Sequence, residues 1–395
     1  MCPSYMVTKN EKDTTRARAN ILRELLTHSD KLNRFDNREI YEVMDLCLSC
    51  KGCKSECPSN VDVAKLKAEF LQHYYDENGV PFRTRLIANF SRSSKLGSAM
   101  PTLYNFLVKN QLTGNWIKRI SGFAAMRSIP LLYKTTLKKW YLNRSRSVAP
   151  QGQSKIFLFC DEFTNYNDVE IGIKAILLLE KLGYEVIIPS HLESGRTWLS
   201  KGLVRQAKKI INKNIALLSP IINKSSPLIG IEPSAILSFR DEYIDLADDD
   251  RFEMAKELAE NVFTIDEFLA AEMEKGNIGK ELFTNEKMEI KLHGHCQQKA
   301  LSTTRATVKL LSFPENYSVS VIPSGCCGMA GSFGYEKEHY DISMKIAELV
   351  LLPEVRNQPD TVIIAAPGTS CRHQIKDGAG RTAKHPVEII YESLR

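Results

Sequence analysis

Residues 47–58 read Cys47-Leu48-Ser49-Cys50-Lys51-Gly52-Cys53-Lys54-Ser55-Glu56-Cys57-Pro58. The spacing Cys-x2-Cys-x2-Cys-x3-Cys-Pro is that of a [4Fe-4S] ligand run. Three thiolates on one tight turn each reach a different iron of a cube, and the fourth cysteine is carried off toward a second cluster. A zinc knuckle or a disulfide pair are the alternatives, but zinc sites usually lack the third close cysteine and the trailing proline. By the same rule Met1-Cys2-Pro3 reads as the tail of an earlier copy whose first three cysteines are not in this sequence. The cube complete within the chain is then expected from Cys47, Cys50, Cys53 and Cys2, and Cys57 lacks its cluster. The plain alternative makes Cys2 an ordinary N-terminal cysteine and closes the site locally with Cys57.

Composition sets the frame for this motif. The chain has 395 residues, 43% hydrophobic and 25% charged, which is room for two or three compact domains with real cores. No apolar run reaches the roughly eighteen residues of a spanning helix, and the start of the chain lacks the order of a secretory signal. The ten cysteines fall in clusters rather than as dispersed disulfide partners, so the expected setting is a reducing cytoplasm. The net charge of +6 hides an asymmetry: residues 81–150 hold thirteen Lys or Arg and no Asp or Glu, leaving 40 basic against 47 acidic residues elsewhere. From Arg83 to Arg146 these cations alternate with Leu86, Ile87, Phe90, Leu103, Tyr104, Phe106, Leu107, Trp116, Ile117, Phe123, Leu131, Leu132, Trp140 and Tyr141. The pattern suits short amphipathic helices on an anionic lipid surface or an acidic partner, with peripheral contact on the inner face of the membrane. Nucleic acid fits less well, and a solvated linker with a self-packed apolar side is the bland alternative.

The expected fold class is α+β multidomain, a small α-helical unit followed by a duplicated α/β unit. TTRARANILRELLTH at 14–28 reads as a helix with Ile21, Leu22, Leu25 and Leu26 on one stripe and Arg16, Arg18 and Arg23 largely on the other. Helices are expected near 37–46 and 63–75, on either side of the cysteine turn. Beyond residue 150, strands at 155–159, 184–188 and 228–232 alternate with helices near 168–182 and 199–213. A second round has strands at 288–293, 318–322 and 361–366 with helices near 297–311 and 337–350. The rounds align as a repeat, Cys160 against Cys296 and Pro233-Ser234-Ala235 against residues 367–371, separated by an acidic helical insertion near 240–274. The expected segments are 1–80 (helical cluster unit), 81–150 (basic linker), 151–287 (degenerate repeat) and 288–395 (intact repeat).

The intact repeat holds a second thiol set, Cys296, Cys326, Cys327 and Cys371, with His293, His295 and His373 alongside. All follow strand ends, where α/β folds usually hold ligands. Adjacent cysteines rarely close on each other, so a metal group is the expected occupant. His295 and His373 are candidates to donate to cluster sulfurs or relay protons, with simple packing as the alternative. His28, His73, His191 and His339 read as surface or structural, and Cys160 as buried filler.

HGHCQQKAL at 293–301, SGCCGMAGSFGYE at 324–336 and APGTSCRHQ at 366–374 resemble the cysteine-rich "CCG" domain of heterodisulfide reductases, glycolate oxidase iron-sulfur subunits and glycerol-3-phosphate dehydrogenase anchor subunits. With a ferredoxin-type unit in front, the order resembles the carboxyl-terminal half of FAD-linked D-2-hydroxyacid dehydrogenases of the D-lactate and D-2-hydroxyglutarate type. The resemblance implies a [4Fe-4S] cluster on Cys47, Cys50, Cys53 and Cys2, and a second iron-sulfur cluster on Cys296, Cys326, Cys327 and Cys371. It further implies FAD in an amino-terminal portion outside this sequence or in a partner subunit, and transfer to a quinone or other carrier. The earlier repeat departs from the pattern: SHLESGRT at 190–197 and EPSA at 232–235 stand where relatives often carry thiols, so that repeat is expected to be scaffold. The rival readings are a heterodisulfide-type thiol reductase, a membrane-docking adaptor with no substrate of its own, and a zinc scaffold at the second thiol set.

Overall fold

The computed structural model describes residues 2–28, 30–144 and 154–395. Arg146 and the expected boundary at 150 lie outside the described residues. Up to Asn143 the described chain is helical. Thr15–His28, Arg38–Asp45 and Val63–Asn78 form the amino-terminal unit. Asn37 starts the second of these by accepting from the N–H groups of Glu39 and Ile40, and Asp62 starts the third by accepting from Ala64 and Lys65. The cysteine turn lies between those caps. It closes through two non-glycine residues in the left-handed region, Ser49 at φ 52° and Lys51 at φ 60°, each costing about 1–2 kcal/mol and so requiring support from outside the turn.

Arg18 departs from the amphipathic reading. It is only 1% exposed, because its guanidinium donates to the Val43 carbonyl at 3.1 Å, to Cys2 Sγ at 3.0 Å and to Ser4 Oγ at 3.0 Å. Leu26, expected on the apolar stripe, is exposed instead.

The strands form two parallel sheets. β1 (Ser154–Phe159), β2 (Tyr184–Ile187), β3 (Leu228–Gly230) and β4 (Val262–Thr264) lie in the order β2-β1-β3-β4. β5 (Met288–Leu292), β6 (Tyr317–Val321) and β7 (Ile363–Ala365) lie in the order β6-β5-β7. Leaving β4 aside, the two orders are the same, as a repeat requires. Strand β4 corrects the expected all-helical insertion: Val262–Thr264 pairs β3 in the register Leu228↔Val262 and Gly230↔Thr264. Three residues are too short to show alternation, but Val262 and Thr264 are β-branched, and Thr264 then caps the helix Ile265–Glu274 through a capping box with Glu267. The helix expected near 297–311 is two, Cys296–Leu301 and Arg305–Leu311. Between them Thr303 Oγ1 accepts the Arg305 N–H, and Ser302 Oγ donates to Glu267, local bonds that compete with helix continuation.

Both sheets bury their faces in one core, where Ile156, Leu158 and Ile229 meet Ile290, Leu292 and Val387. A second core joins Leu22, Phe70, Tyr74 and Tyr75 of the amino-terminal unit to Ile210, Ile211, Phe239 and Tyr243 of the first α/β unit. The carboxyl ends of β5, β6 and β7 thus open toward the cysteine turn, and the helix Cys296–Leu301 packs on Gly52–Glu56. No described helix is long and apolar enough to cross a membrane.

Candidate metal centres

The two thiol sets are built by different local physics. In the turn, Cys47 is buried just beyond Arg38–Asp45, and its carbonyl accepts from Lys67 Nζ at 2.7 Å. Cys50 lies among thiols: burial pushes it well above its ordinary value, and the charges of Cys296, Cys47 and Cys2 push the same way. Cys53 is raised by burial, offset by the Val63 N–H, with the Cys47 charge adding to the rise. Cys2 goes the other way; although burial raises it, Arg18 and Ser4 bring its thiol below the usual range. The charges of Cys2 and Cys47 thus reach Cys50, and that of Cys47 reaches Cys53. Cys57 stands apart and partly exposed, its sulfur receiving the N–H groups of Val61, Ser59 and Asn60.

Lys51 supplies the support the turn needs. Its ammonium is fully buried and contacts Asp62 at 2.8 Å, Asp241 at 2.6 Å and Glu242 at 3.0 Å. Lys54 reaches Asp241 at 2.7 Å, so the turn is clamped to the first α/β unit by charges buried on both sides.

At the strand ends, the Cys371 and Cys327 sulfurs are 3.6 Å apart, and both lie within 4.8 Å of a ring nitrogen of His293. Cys327 is held well below its ordinary value because the Cys326 and Cys371 thiols donate to it, while burial opposes. Cys326 is driven well above its ordinary value by its bonds to Cys296 and Cys327 and by burial, and Cys371 by its bond to Cys327 and by burial. One thiolate among protonated, dry thiols is costly without a shared cation, and a metal group supplies that charge. His293 fits the same demand. Ser324 Oγ–H points to the Ile322 carbonyl and so accepts from His293 Nδ1–H at 2.7 Å; His293 Nε2 is buried with no partner. That is the arrangement of a ligating histidine, whose other nitrogen donates outward.

The backbone is shaped to match. Gly328 has φ 85°, and a Cβ there would sit 2.3 Å from the Ser343 carbonyl oxygen. The glycine after the cysteine pair is thus fixed by conformation and by space, which leaves its N–H donating to Cys326 Sγ at 3.4 Å.

Of the other histidines, His295 borders the thiols: it is buried, its Nδ1 accepts the Gln297 N–H at 3.3 Å, and its Nε2 is 3.8 Å from Glu232 Oε1. His373 instead meets the Tyr335 hydroxyl at 3.0 Å. His339 is buried, stacked on Phe333 and bonded to Asp45 at 2.7 Å. Cys160 is buried in the shared core. Sequence reasoning set His293 beside the thiols without giving it a role, and passed over Glu232. Position was the signal for His293, the first residue after β5. Glu232 lies in the repeat expected to be scaffold, yet its Oε2 accepts the Thr369 N–H at 2.8 Å, two residues before Cys371.

Between the two thiol sets and the basic helices is a cavity of about 560 Å³. Cys47, Cys50, Cys296, Cys327 and Cys371 line one end; Leu86, Ile87, Tyr104, Val108 and Ile117 line the other.

Comparison with known proteins points to iron-sulfur chemistry. Residues 1–62 match the family described as a 4Fe-4S dicluster domain. D-2-hydroxyglutarate dehydrogenase of Escherichia coli (strain K12) is 26% identical over 440 residues, covering 100% of this chain and 42% of that protein. One of the subunits of anaerobic glycerol-3-phosphate dehydrogenase from the same organism is 24% identical over 68% of this chain and 66% of its own length. The glycolate oxidase iron-sulfur subunit of that organism is 20% identical over 100% of this chain and 91% of its own length. The chain spans under half the length of the D-2-hydroxyglutarate dehydrogenases it matches. It is an iron-sulfur protein, similar along its whole length to D-2-hydroxyglutarate dehydrogenase and to the glycolate oxidase iron-sulfur subunit.

Proposed function

We propose that the chain is the electron-transfer portion of a flavin-dependent oxidoreductase acting on a small D-2-hydroxyacid. It passes electrons from a flavin-containing domain or partner subunit to a quinone or another carrier. One observation carries this reading: the helix Cys296–Leu301 packs on Gly52–Glu56, and Cys50 of the turn and Cys296 of the later repeat border the same small core, so groups held at the two thiol sets are neighbours. The relatives' names support the substrate class, since hydroxyglutarate and glycolate are both 2-hydroxyacids.

In this reading Cys2, Cys47, Cys50 and Cys53 hold a [4Fe-4S] cluster, and Cys296, Cys326, Cys327, Cys371 and His293 hold a second metal group. When bound, such groups supply single-electron storage at potentials set by their surroundings. The chain's own residues supply those surroundings. Arg18 donates to the Cys2 sulfur and favours its thiolate form, Lys51 fixes the turn, and Leu48, Phe333 and Ile346 keep water from the thiols between the two sets. Residues 1–80 and 288–395 are the cluster-holding segments, 151–287 positions them against each other, and 81–150 is a membrane-docking segment.

Anaerobic purification followed by iron, zinc and acid-labile sulfide analysis tests the reading, with electron paramagnetic resonance after chemical reduction. The expected result is iron and sulfide together with a reduced-cluster signal. Zinc without sulfide at both sets overturns it in favour of a scaffold.

A further inference from the structure

We infer that the cavity between the thiol sets and the basic helices binds a neutral, flat, lipid-soluble ring compound of the quinone class. The inference rests on the proposed electron-transfer role for what the ligand receives, and on the cavity itself for what the ligand is. The cavity of about 560 Å³ includes the room the metal groups would take beside the thiols, and the space beyond them is lined, as small-molecule sites are, mostly by apolar side chains. Its thiol end adjoins the metal groups. Its far end has no thiol and is walled by Leu86, Ile87, Tyr104, Val108 and Ile117, a lining that serves no cluster.

Charge at the wall selects a neutral occupant. Four cations border the cavity, and each already has a partner. Arg83 pairs with Glu336 at 3.1 Å and with Glu338; Lys201 also pairs with Glu336; Arg196 pairs with Glu242 at 2.6 Å. Lys67 donates to the carbonyls of Asp45 at 3.1 Å and Cys47 at 2.7 Å. Three of these cations are already matched by acids, so an anionic hydroxyacid entering here would have to displace one of those acids or compete with the two carbonyls for Lys67, or remain unpaired away from water, which is costly. A neutral ring does neither.

Two buried polar groups suit both oxidation states of a quinone. His295 Nδ1 accepts a backbone N–H, so the ring's proton is on Nε2, and Glu232 Oε1 at 3.8 Å is beyond hydrogen-bond reach. That N–H is left to donate to a quinone carbonyl. Gln297, only 5% exposed and next to the thiol end, has an Oε1 with no partner, an acceptor for a quinol hydroxyl. Two electrons, released with two protons when the hydroxyacid becomes the keto acid, arrive singly from the thiol end. With two protons they convert the quinone to the quinol, and the overall exchange balances.

The outer wall also favours a lipid-borne ligand. Leu107 lines the cavity and is 38% exposed, on the same helix as the exposed Leu103 and Phe106. Leu107 thus joins the lining of the cavity to the apolar, cation-flanked face of the basic segment.

The test uses the full chain, anaerobically reconstituted with iron and sulfide, and a short-chain azidoquinone. Binding is followed by equilibrium dialysis and the cross-link is mapped by mass spectrometry after illumination. The expected result is one saturable site, with the label on residues 86–117 or on Gln297. Leu107→Trp, in the half-exposed wall, should weaken binding about tenfold, the worth of one or two buried apolar groups, with iron and sulfide content unchanged. Should that substitution disturb the clusters, Ile117→Phe fills the same space from the helix Gln111–Ser121. Label outside these residues, non-saturable uptake, unchanged affinity in both variants, or displacement by an equal concentration of D-2-hydroxyglutarate overturns the inference. Failure of iron and sulfide to incorporate while saturable labelling persists sinks the electron-transfer reading and leaves the site standing.

Discussion

Cys2 and Cys57 are both followed by proline, yet their surroundings differ. Cys2 is joined to a buried arginine and feels the other thiols; Cys57 receives only local backbone N–H groups at the surface. Cys2→Ala should therefore abolish the turn's cluster signal and remove its share of iron, whereas Cys57→Ala should leave both unchanged. The reverse pattern would mean a site closed locally by Cys57. His293 gives a second test. If its Nε2 binds the metal group, pulsed electron paramagnetic resonance of the reduced protein should show nitrogen coupling that His293→Gln removes; coupling that survives the substitution would make His293 a packing residue. The cysteine motif was legible because its spacing is local and its chemistry leaves few alternatives. Arg18 was not legible: its partners Cys2, Ser4 and Val43 come from both sides of its helix, and no periodicity shows a charged residue that has found three buried acceptors.

Longer elements were easier to read than short ones. The five- and six-residue strands β1, β5 and β6 stand where alternation and β-branched content put them, whereas three-residue β4 was hidden in an acidic, helix-rich stretch. The basic segment divides its residues in a way composition does not show. Leu132 and Tyr141 are buried, Leu86, Ile87 and Ile117 wall the cavity, and Phe106 and Trp116 remain 62% and 67% exposed. Arg127 is buried and Arg83 and Arg144 are paired with acids, while Arg85, Arg92, Lys95, Lys109 and Arg119 stay exposed. Five cations at about 1 kcal/mol each give contact between millimolar and micromolar strength, which is peripheral and reversible. The protein should sediment with phosphatidylglycerol vesicles at low salt and be released near 1 M salt, where the screening length falls to about 3 Å. Phe106→Asp with Trp116→Asp should weaken retention. No retention at low salt would end the docking proposal.

At the scale of the whole molecule, two cores bind the helical unit and both sheets into continuous packing, so local protonation reaches global stability. His191, read from sequence as surface or structural, is buried. Its Nε2 accepts the Cys160 N–H at 3.2 Å and its Nδ1–H meets the Leu192 carbonyl at 2.6 Å. Burial, aided by the Lys138 charge, takes the ring from 6.5 down to about 3. The unfolded chain thus binds a proton below 6.5 that the folded chain refuses, and stability present above 6.5 is lost as pH falls toward 3. By pH 5 the loss is about 2 kcal/mol. Urea midpoints at pH 7 and pH 5 should differ more in the wild type than in His191→Gln, and equal differences would remove His191 from the account. What the sequence could not show at this scale is which distant residues meet: Glu232 beside Thr369, and Asp241 beside Lys51. Such pairs depend on how the two repeats and the helical unit dock, and no local pattern encodes that.

Lys51 ties the shape of its own loop to carboxylates almost two hundred positions away. A peptide of the first sixty or so residues would keep every sulfur of the turn yet lose the anchor for its two unfavourable backbone angles, so it should wander among conformers and capture iron poorly. Swapping this amino-terminal module between homologous chains should succeed only when Asp241 and Glu242, or acids standing in for them, travel with it.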